Sequence, residues 1–160
     1  MNDPVRVLCL GNELLADDAF GCAVAREIRA QFPGQVVLLE SRASGFDLLE
    51  DVKNVRSLVV VDSVQTSTAP IGALFVVREG DITSPSGGSP HYVGLFETLR
   101  VARELLLPVP EEVVILAVEV ADTTTLGGRM HPAVEAAVPR VARLAVDWAR
   151  RFASQAACRL

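Results

Sequence analysis

Residues 7–28, "VLCLGNELLADDAFGCAVAREI", decide how this chain folds. An apolar run stops at Gly11-Asn12, and Asp17-Asp18 then open a segment whose apolar residues recur at helical spacing. A short buried strand followed by an amphipathic helix is the opening of an α/β domain. Two acids stand between the two elements. One is explained as a helix cap that also meets the positive end of the helix dipole. The second asks for another task.

The alternation of strand and helix continues along the chain. "VVLLE" (36–40), "SLVVVDSV" (57–64), "GALFVVRE" (72–79) and "EEVVILAVEV" (111–120) read as further strands. The first helix is expected over 17–32 and a short one over 45–53. Another is expected over 93–106, and a long one from Pro132, a favoured first helical residue, to about Ala156. Pro139 inside it predicts a kink or a break. Gly80 to His91, "GDITSPSGGSPH", reads as a flexible loop, and "ADTTTLGGRM" (121–130) as another. With 160 residues and no repeat or linker, one domain over residues 1–160 is expected. The fold class is α/β: a three-layer αβα sandwich on a mostly parallel, twisted sheet of about five strands. Such sheets bind ligands beyond the carboxyl ends of their strands, where the connection order reverses. Residues just past Leu10, Glu40 and Val61 should therefore line one functional edge.

Composition narrows the chemistry. Half the residues are apolar and only 5% aromatic, which suits strands buried on both faces. A net charge of −5 gives no electrostatic footprint for nucleic acid. No apolar run reaches the roughly 18 residues that span a bilayer, and the N-terminus lacks the pattern of a secretory signal. Three widely spaced cysteines make neither a disulfide framework nor a CxxC metal site, so a reducing cytoplasm is the expected compartment. GxGxxG, GK[ST] and G-x-S-x-G are all absent, which removes the common dinucleotide, nucleotide and nucleophile-elbow readings. Cys9, among apolar strand neighbours, reads as a buried small hydrophobe rather than a nucleophile.

A few polar residues remain at the predicted edge. Asp62 closes the strand "SLVVVD", where an acid serves as a solvated strand end or turn former as readily as a ligand. His91 stands just before a helix and, taken alone, is an ordinary exposed polar residue. His131, directly before Pro132, reads as a helix cap. Together, two carboxylates and one imidazole from different loops would place three ligands around a borderline divalent ion such as zinc or nickel, leaving positions for water or substrate.

These residues also carry a family resemblance. "LGNELLADDAFG", "SGFDLLE", "VVVDSV", "SPHYVGL" and "GGRMHPAVEAAV" resemble, in order, motifs of the hydrogenase maturation endopeptidases, which trim the C-terminal tail from the large subunit of nickel–iron hydrogenases. The resemblance runs nearly end to end. It implies that Asp18, Asp62 and His91 are the metal-binding and catalytic residues, that Asp17 is left as the helix cap, and that Gly11 and Asn12 shape the site floor. Glu40 and Arg42 fall in a substrate-binding segment. The implied metal is nickel supplied by the substrate, for which zinc, cadmium or another divalent ion would substitute in a crystal, with no organic cofactor. The implied partner is the hydrogenase large-subunit precursor, met by a soluble monomer that binds neither nucleic acid nor membrane. Such a site should bind metal weakly in isolation. Departures are visible: Cys9 replaces the first glycine of a G-x-G-N turn, "ESRASG" replaces D-G-G-T-x-G, and "ADTTTLGG" replaces a Gln-Pro-containing segment. They bear on substrate choice more than on fold. Two other readings stay open. One is a non-proteolytic, metal-dependent chaperone or binding module for the same kind of partner; the other is a metal-dependent hydrolase of a small substrate.

Overall fold

The computed structural model describes residues 3–81 and 90–158, of which 3, 4 and 90–94 are described by backbone alone. Five strands and four helices follow in the order β1 (Asp3–Leu10), α1 (Phe20–Gln31), β2 (Val37–Ser41), α2 (Leu48–Val52), β3 (Val55–Val64), β4 (Leu74–Arg78), α3 (Pro90–Glu104), β5 (Glu112–Glu119) and α4 (Pro132–Cys158). The strands form one sheet in the order β2-β1-β3-β5-β4, parallel throughout except that β4 pairs antiparallel with β5. The expected fold class is the one the chain adopts.

Side chains alternate across a strand, and here both faces are covered. Val7, Cys9, Val59, Val61, Val114 and Leu116 pack under α1 and α4. Leu8, Leu58, Val60 and Ile115 pack under α2 and α3. The central strands consequently read as unbroken apolar runs, each buried Val or Leu contributing about 1.5–3 kcal/mol. Cys9 belongs to the first of these cores, and its burial pushes the thiol well above its ordinary range, with Glu40 and Cys22 adding to the effect. That is a packing residue, as expected.

β1 pairs with β2 on one side and with β3 on the other, so the connection order reverses between β1 and β3. At that point the chain doubles back tightly. A Cβ on Gly21, at the start of α1, would lie 2.0 Å from the Leu10 carbonyl oxygen, and one on Gly11 would lie 2.4 Å from that of Asp18. Only glycine permits this approach of helix to strand end.

The helix boundaries differ from expectation in three places. The acid pair lies in a 3-10 turn, Ala16–Ala19, ahead of α1 rather than inside it. α3 begins at Pro90, which places His91 in the first turn of a helix instead of a loop. α4 runs unbroken past Pro139. Its buried stripe of Val134, Ala137, Val138, Val141, Ala142 and Ala145 holds it against the sheet and outweighs the roughly 3 kcal/mol that an interior proline costs. Gly80 and Asp81 of the predicted loop belong to a 3-10 turn, Glu79–Asp81, and residues 82–89 lie outside the described residues. No described helix is long and apolar enough to cross a membrane.

Candidate functional site

A cleft of about 670 Å³ opens at the carboxyl edge, over the β1–β3 reversal. Its walls come from the turn after β1 (Gly11, Asn12), the acid-bearing turn (Asp18), the exit of β2 (Arg42 to Gly45) and the end of β3 (Asp62 to Gln65).

Asp18 and Asp62 reach this cleft from different elements and share one neighbour. The Asn12 N–H donates to the Asp18 carbonyl oxygen at 3.1 Å and to its Oδ2, also at 3.1 Å. The Ser63 hydroxyl donates to Asp18 Oδ1 at 3.3 Å, and the Ser63 N–H donates to Asp62 Oδ1 at 2.8 Å. Ser63 therefore links the two acids. Asp62 is only 8% exposed, so it is a buried group facing the cleft rather than a solvated strand end. Burial raises its pKa from an ordinary 3.8 to about 7, against the pull of the Ser63 N–H and with a further push from the Asp18 charge. A neighbouring cation would relieve this crowding of negative charge; the arrangement suits a divalent ion or a shared proton.

His91 approaches the same region through the backbone. α3 packs on the Leu58–Val60 face of β3, and Asp62 falls on that face by alternation. Past the far end of α3, the Pro108 carbonyl accepts the Asn54 N–H at 2.9 Å, beside the start of β3. The first turn of α3 is accordingly directed toward the carboxyl edge. The His91 side chain lies outside the described residues. Among the described side chains, no group of three His, Cys, Asp or Glu residues could hold a metal ion.

The expected substrate residues separate. Gly11, Asn12 and Arg42 line the cleft. Glu40 does not; its carboxylate accepts from Arg29 of α1 at 3.0 Å. Arg42 pairs only loosely with Glu13, at 3.9 Å, with both side chains 59% exposed.

Asp17 is not a cap of its own helix: the 3-10 turn and α1 both lack a side-chain cap bond. Its buried carboxylate instead accepts the N–H groups of Ala121 and Asp122 on Oδ2, both at 2.9 Å, and that of His131 on Oδ1 at 2.6 Å. The Asp17 N–H returns a bond to the Asp122 carbonyl at 2.8 Å. Ala16, immediately before this acid, has a positive φ of 25°, a backbone that a residue with a side chain seldom takes. His131 does act as the expected cap, its Nδ1 accepting the Ala133 N–H at 3.1 Å at the start of α4. Glu119, also buried, accepts the Thr66 N–H and hydroxyl at 2.9 and 2.7 Å, fixing the segment that follows β3 and carries Gln65 to the cleft. Sequence reasoning singled out neither Ser63 nor Glu119. The hydroxyl immediately after Asp62 was the available signal for the first; partners of Glu119 lie 53 residues away and left none.

The two adjacent acids should behave oppositely on removal. Asp17→Ala takes a buried carboxylate acceptor away from three backbone N–H groups and is expected to cost about 3–5 kcal/mol in urea unfolding, whereas Asp18→Ala should stay within about 1 kcal/mol of the parent. Equal costs would contradict the assignment. Asp62 gives a pH signature. Its folded pKa is raised, so the stability tied to its proton is complete below about pH 4 and is lost as pH rises through about 7. Asp62→Asn should therefore gain stability at pH 8, by at most ~4 kcal/mol, with the gain shrinking toward zero near pH 4. Thermal unfolding at the two pH values checks it; a variant less stable than the parent at pH 8 would refute it.

The comparisons with known proteins bear on the fold and on kinship. The family model described as hydrogenase maturation protease matches residues 22–148. The chain is 28% identical over 148 residues to the hydrogenase expression/formation protein HoxM of Cupriavidus necator, covering 89% of this chain and 72% of that protein. It is 26% identical over 144 residues to the hydrogenase 2 maturation protease of Escherichia coli, covering 82% and 86%. Among solved structures, the hydrogenase maturating endopeptidase HybD of E. coli superposes with a TM-score of 0.74 at 24% identity, covering 92% of this chain and 93% of that one. The [NiFe] hydrogenase maturation protease HybD of Thermococcus kodakarensis gives 0.72 at 22% identity, covering 91% and 99%. At these identities the structural likeness establishes the fold, and the family model establishes the kinship: this chain belongs to the hydrogenase maturation protease family, a family of hydrolases.

Proposed function

We propose that this protein is the endopeptidase that removes the C-terminal tail of a nickel-loaded hydrogenase large-subunit precursor. In this reading Asp18, Asp62 and His91 recognise nickel that the precursor itself carries. The metal is part of the substrate, and its presence certifies that the precursor is ready to be cut. The observation that carries the reading is the convergence of Asp18 and Asp62, from separate elements, on one cleft at the strand-order reversal. The first turn of α3, with His91, is directed to the same edge.

Each residue then has a distinct task. Asp18 is held from two sides, by Asn12 and Ser63, and so presents its carboxylate in a fixed direction. Asp62 is bonded through one oxygen to the Ser63 N–H and faces the cleft. The raised pKa of Asp62 means that the protein alone does not favour its charged form, so binding a cation there is weak until the substrate brings one. Gly11 and Asn12 form the floor on which the extended tail lies, and Ser63 keeps the two acids in register. The partner is the precursor, met transiently by a monomer in the cytoplasm; no organic cofactor takes part.

The test uses nickel-loaded precursor and mass spectrometry of the product. The wild-type protein should shorten the large subunit, and should leave nickel-free precursor intact. Asp18→Ala, Asp62→Ala and His91→Ala should each abolish cleavage while far-UV circular dichroism stays unchanged. A stable complex with uncut, nickel-loaded precursor would favour the chaperone reading instead. Undiminished cleavage by any of the three variants would remove that residue from the site.

A further inference from the structure

Among the described residues that line the cleft, Arg42 is the single cation, and the acids there are Asp18 and Asp62. We infer that Arg42 is a specificity-determining residue that binds a carboxylate of the substrate tail, about three residues from the scissile bond. The inference rests on the proteolytic reading above and adds to it the chemistry of the tail.

Three observations support it. First, the guanidinium is available. Its ion pair with Glu13 is long, at 3.9 Å, and more than half of each side chain is in solvent. Such an exposed contact is worth about 0–1 kcal/mol, so a bidentate carboxylate in a partly closed cleft would displace it. Second, among the described residues Arg42 forms an ion pair with Glu13 and with neither Asp18 nor Asp62, so its guanidinium is not held by the acids of the cleft. Third, the position is set by the sheet. Arg42 follows the last residue of β2, and Asp62 lies near the end of β3, with β1 between them. Two strand spacings separate these exits by about 10 Å, the length of about three residues of an extended peptide.

The direction of the peptide follows from what enters the cleft. If the nickel sits in the folded body of the precursor and is held at Asp18 and Asp62, that bulk occupies the acidic end. The segment free to lie extended toward Arg42 is the tail. A tail with a carboxylate at this distance places negative charge beside the guanidinium and keeps it away from the acids. Without Arg42 the described lining would offer the tail carboxylate no cationic side chain. The carboxylate has two possible sources, an acidic side chain or the free C-terminus.

The experiment crosses enzyme and substrate variants. Wild type, Arg42→Gln and Arg42→Lys are assayed on nickel-loaded precursor with three tails: the natural one, one with its acidic side chains amidated by Asp→Asn and Glu→Gln changes, and one extended by neutral residues that move the terminal carboxylate away. On the natural tail Arg42→Gln should lower kcat/KM about tenfold, through KM rather than kcat. Arg42→Lys should recover part of the loss. On the tail that lacks the recognised carboxylate the penalty should vanish, and which tail that is identifies the source. A penalty equal on all three tails, or no penalty on the natural tail, overturns the inference. If wild type cuts no precursor, the proteolytic reading fails by itself. The free tail peptide then decides about Arg42: its binding to wild type, followed by fluorescence anisotropy, should weaken with Arg42→Gln and with loss of the carboxylate, and unchanged binding in both overturns the inference.

Discussion

The first helical turn lies against the end of β1 so closely that no side chain fits between them. The hypothetical Cβ of Gly21 falls 2.0 Å from the Leu10 carbonyl oxygen, and that of Gly11 2.4 Å from the Asp18 carbonyl oxygen. Everything at the carboxyl edge follows from this contact. It fixes the turn 11–18 as a tight loop folded back on the strand, with the Asn12 N–H closing it onto Asp18. It also brings Asp18 to the side of β1 where β3 ends, within reach of the Ser63 hydroxyl. A wider turn would leave the acid over α1, and the cleft would hold one carboxylate instead of two.

Two acids adjacent in sequence are thereby given different physical roles. Asp17 is buried and receives three backbone N–H groups from the segment between β5 and α4, a set of charge-assisted bonds that ties the last helix to the first turn. Asp18 is half-buried, holds fewer bonds, and faces the cleft. Asp62 completes the contrast: it is as hidden as a core residue, yet its one described bond leaves the carboxyl poorly compensated, and burial lifts its pKa to about 7. A group kept in so unfavourable a setting weakens the fold above neutral pH, a cost usually met at functional sites. Two tasks are thus divided between neighbours: Asp17 holds the edge together, and Asp18 and Asp62 face the cleft, where the proposed function has them meet the cation of the substrate.

Much of this was legible because the local signals and the tertiary ones agree. Strands buried on both faces announce themselves as apolar runs, and "SLVVVDSV" or "EEVVILAVEV" could be little else. The sheet rule then located Asp18, Asp62, Gly11 and Arg42 at one edge without coordinates. The failures come from long-range partners. Asp17 reads as a cap from its neighbours, but its hydrogen bonds go to residues 104–114 positions away. The family resemblance implies Glu40 as a substrate-binding residue, but its side chain leans to Arg29 on the α1 side. Pro139 reads as a kink or a break, and the helix continues through it because the apolar stripe around it offsets the local cost. The start of α3 at Pro90 is obscured by the small and proline residues that precede it.

The central claim is that Asp18, Asp62 and His91 meet around one divalent ion. A crystal structure of the protein grown or soaked with excess nickel tests it most directly. The account predicts a single ion in the cleft, with one oxygen from each of Asp18 and Asp62 and a ring nitrogen of His91 at about 2.0–2.2 Å. An ion bound without either carboxylate, or a His91 ring that cannot reach the acids in the metal-soaked crystal, would contradict it.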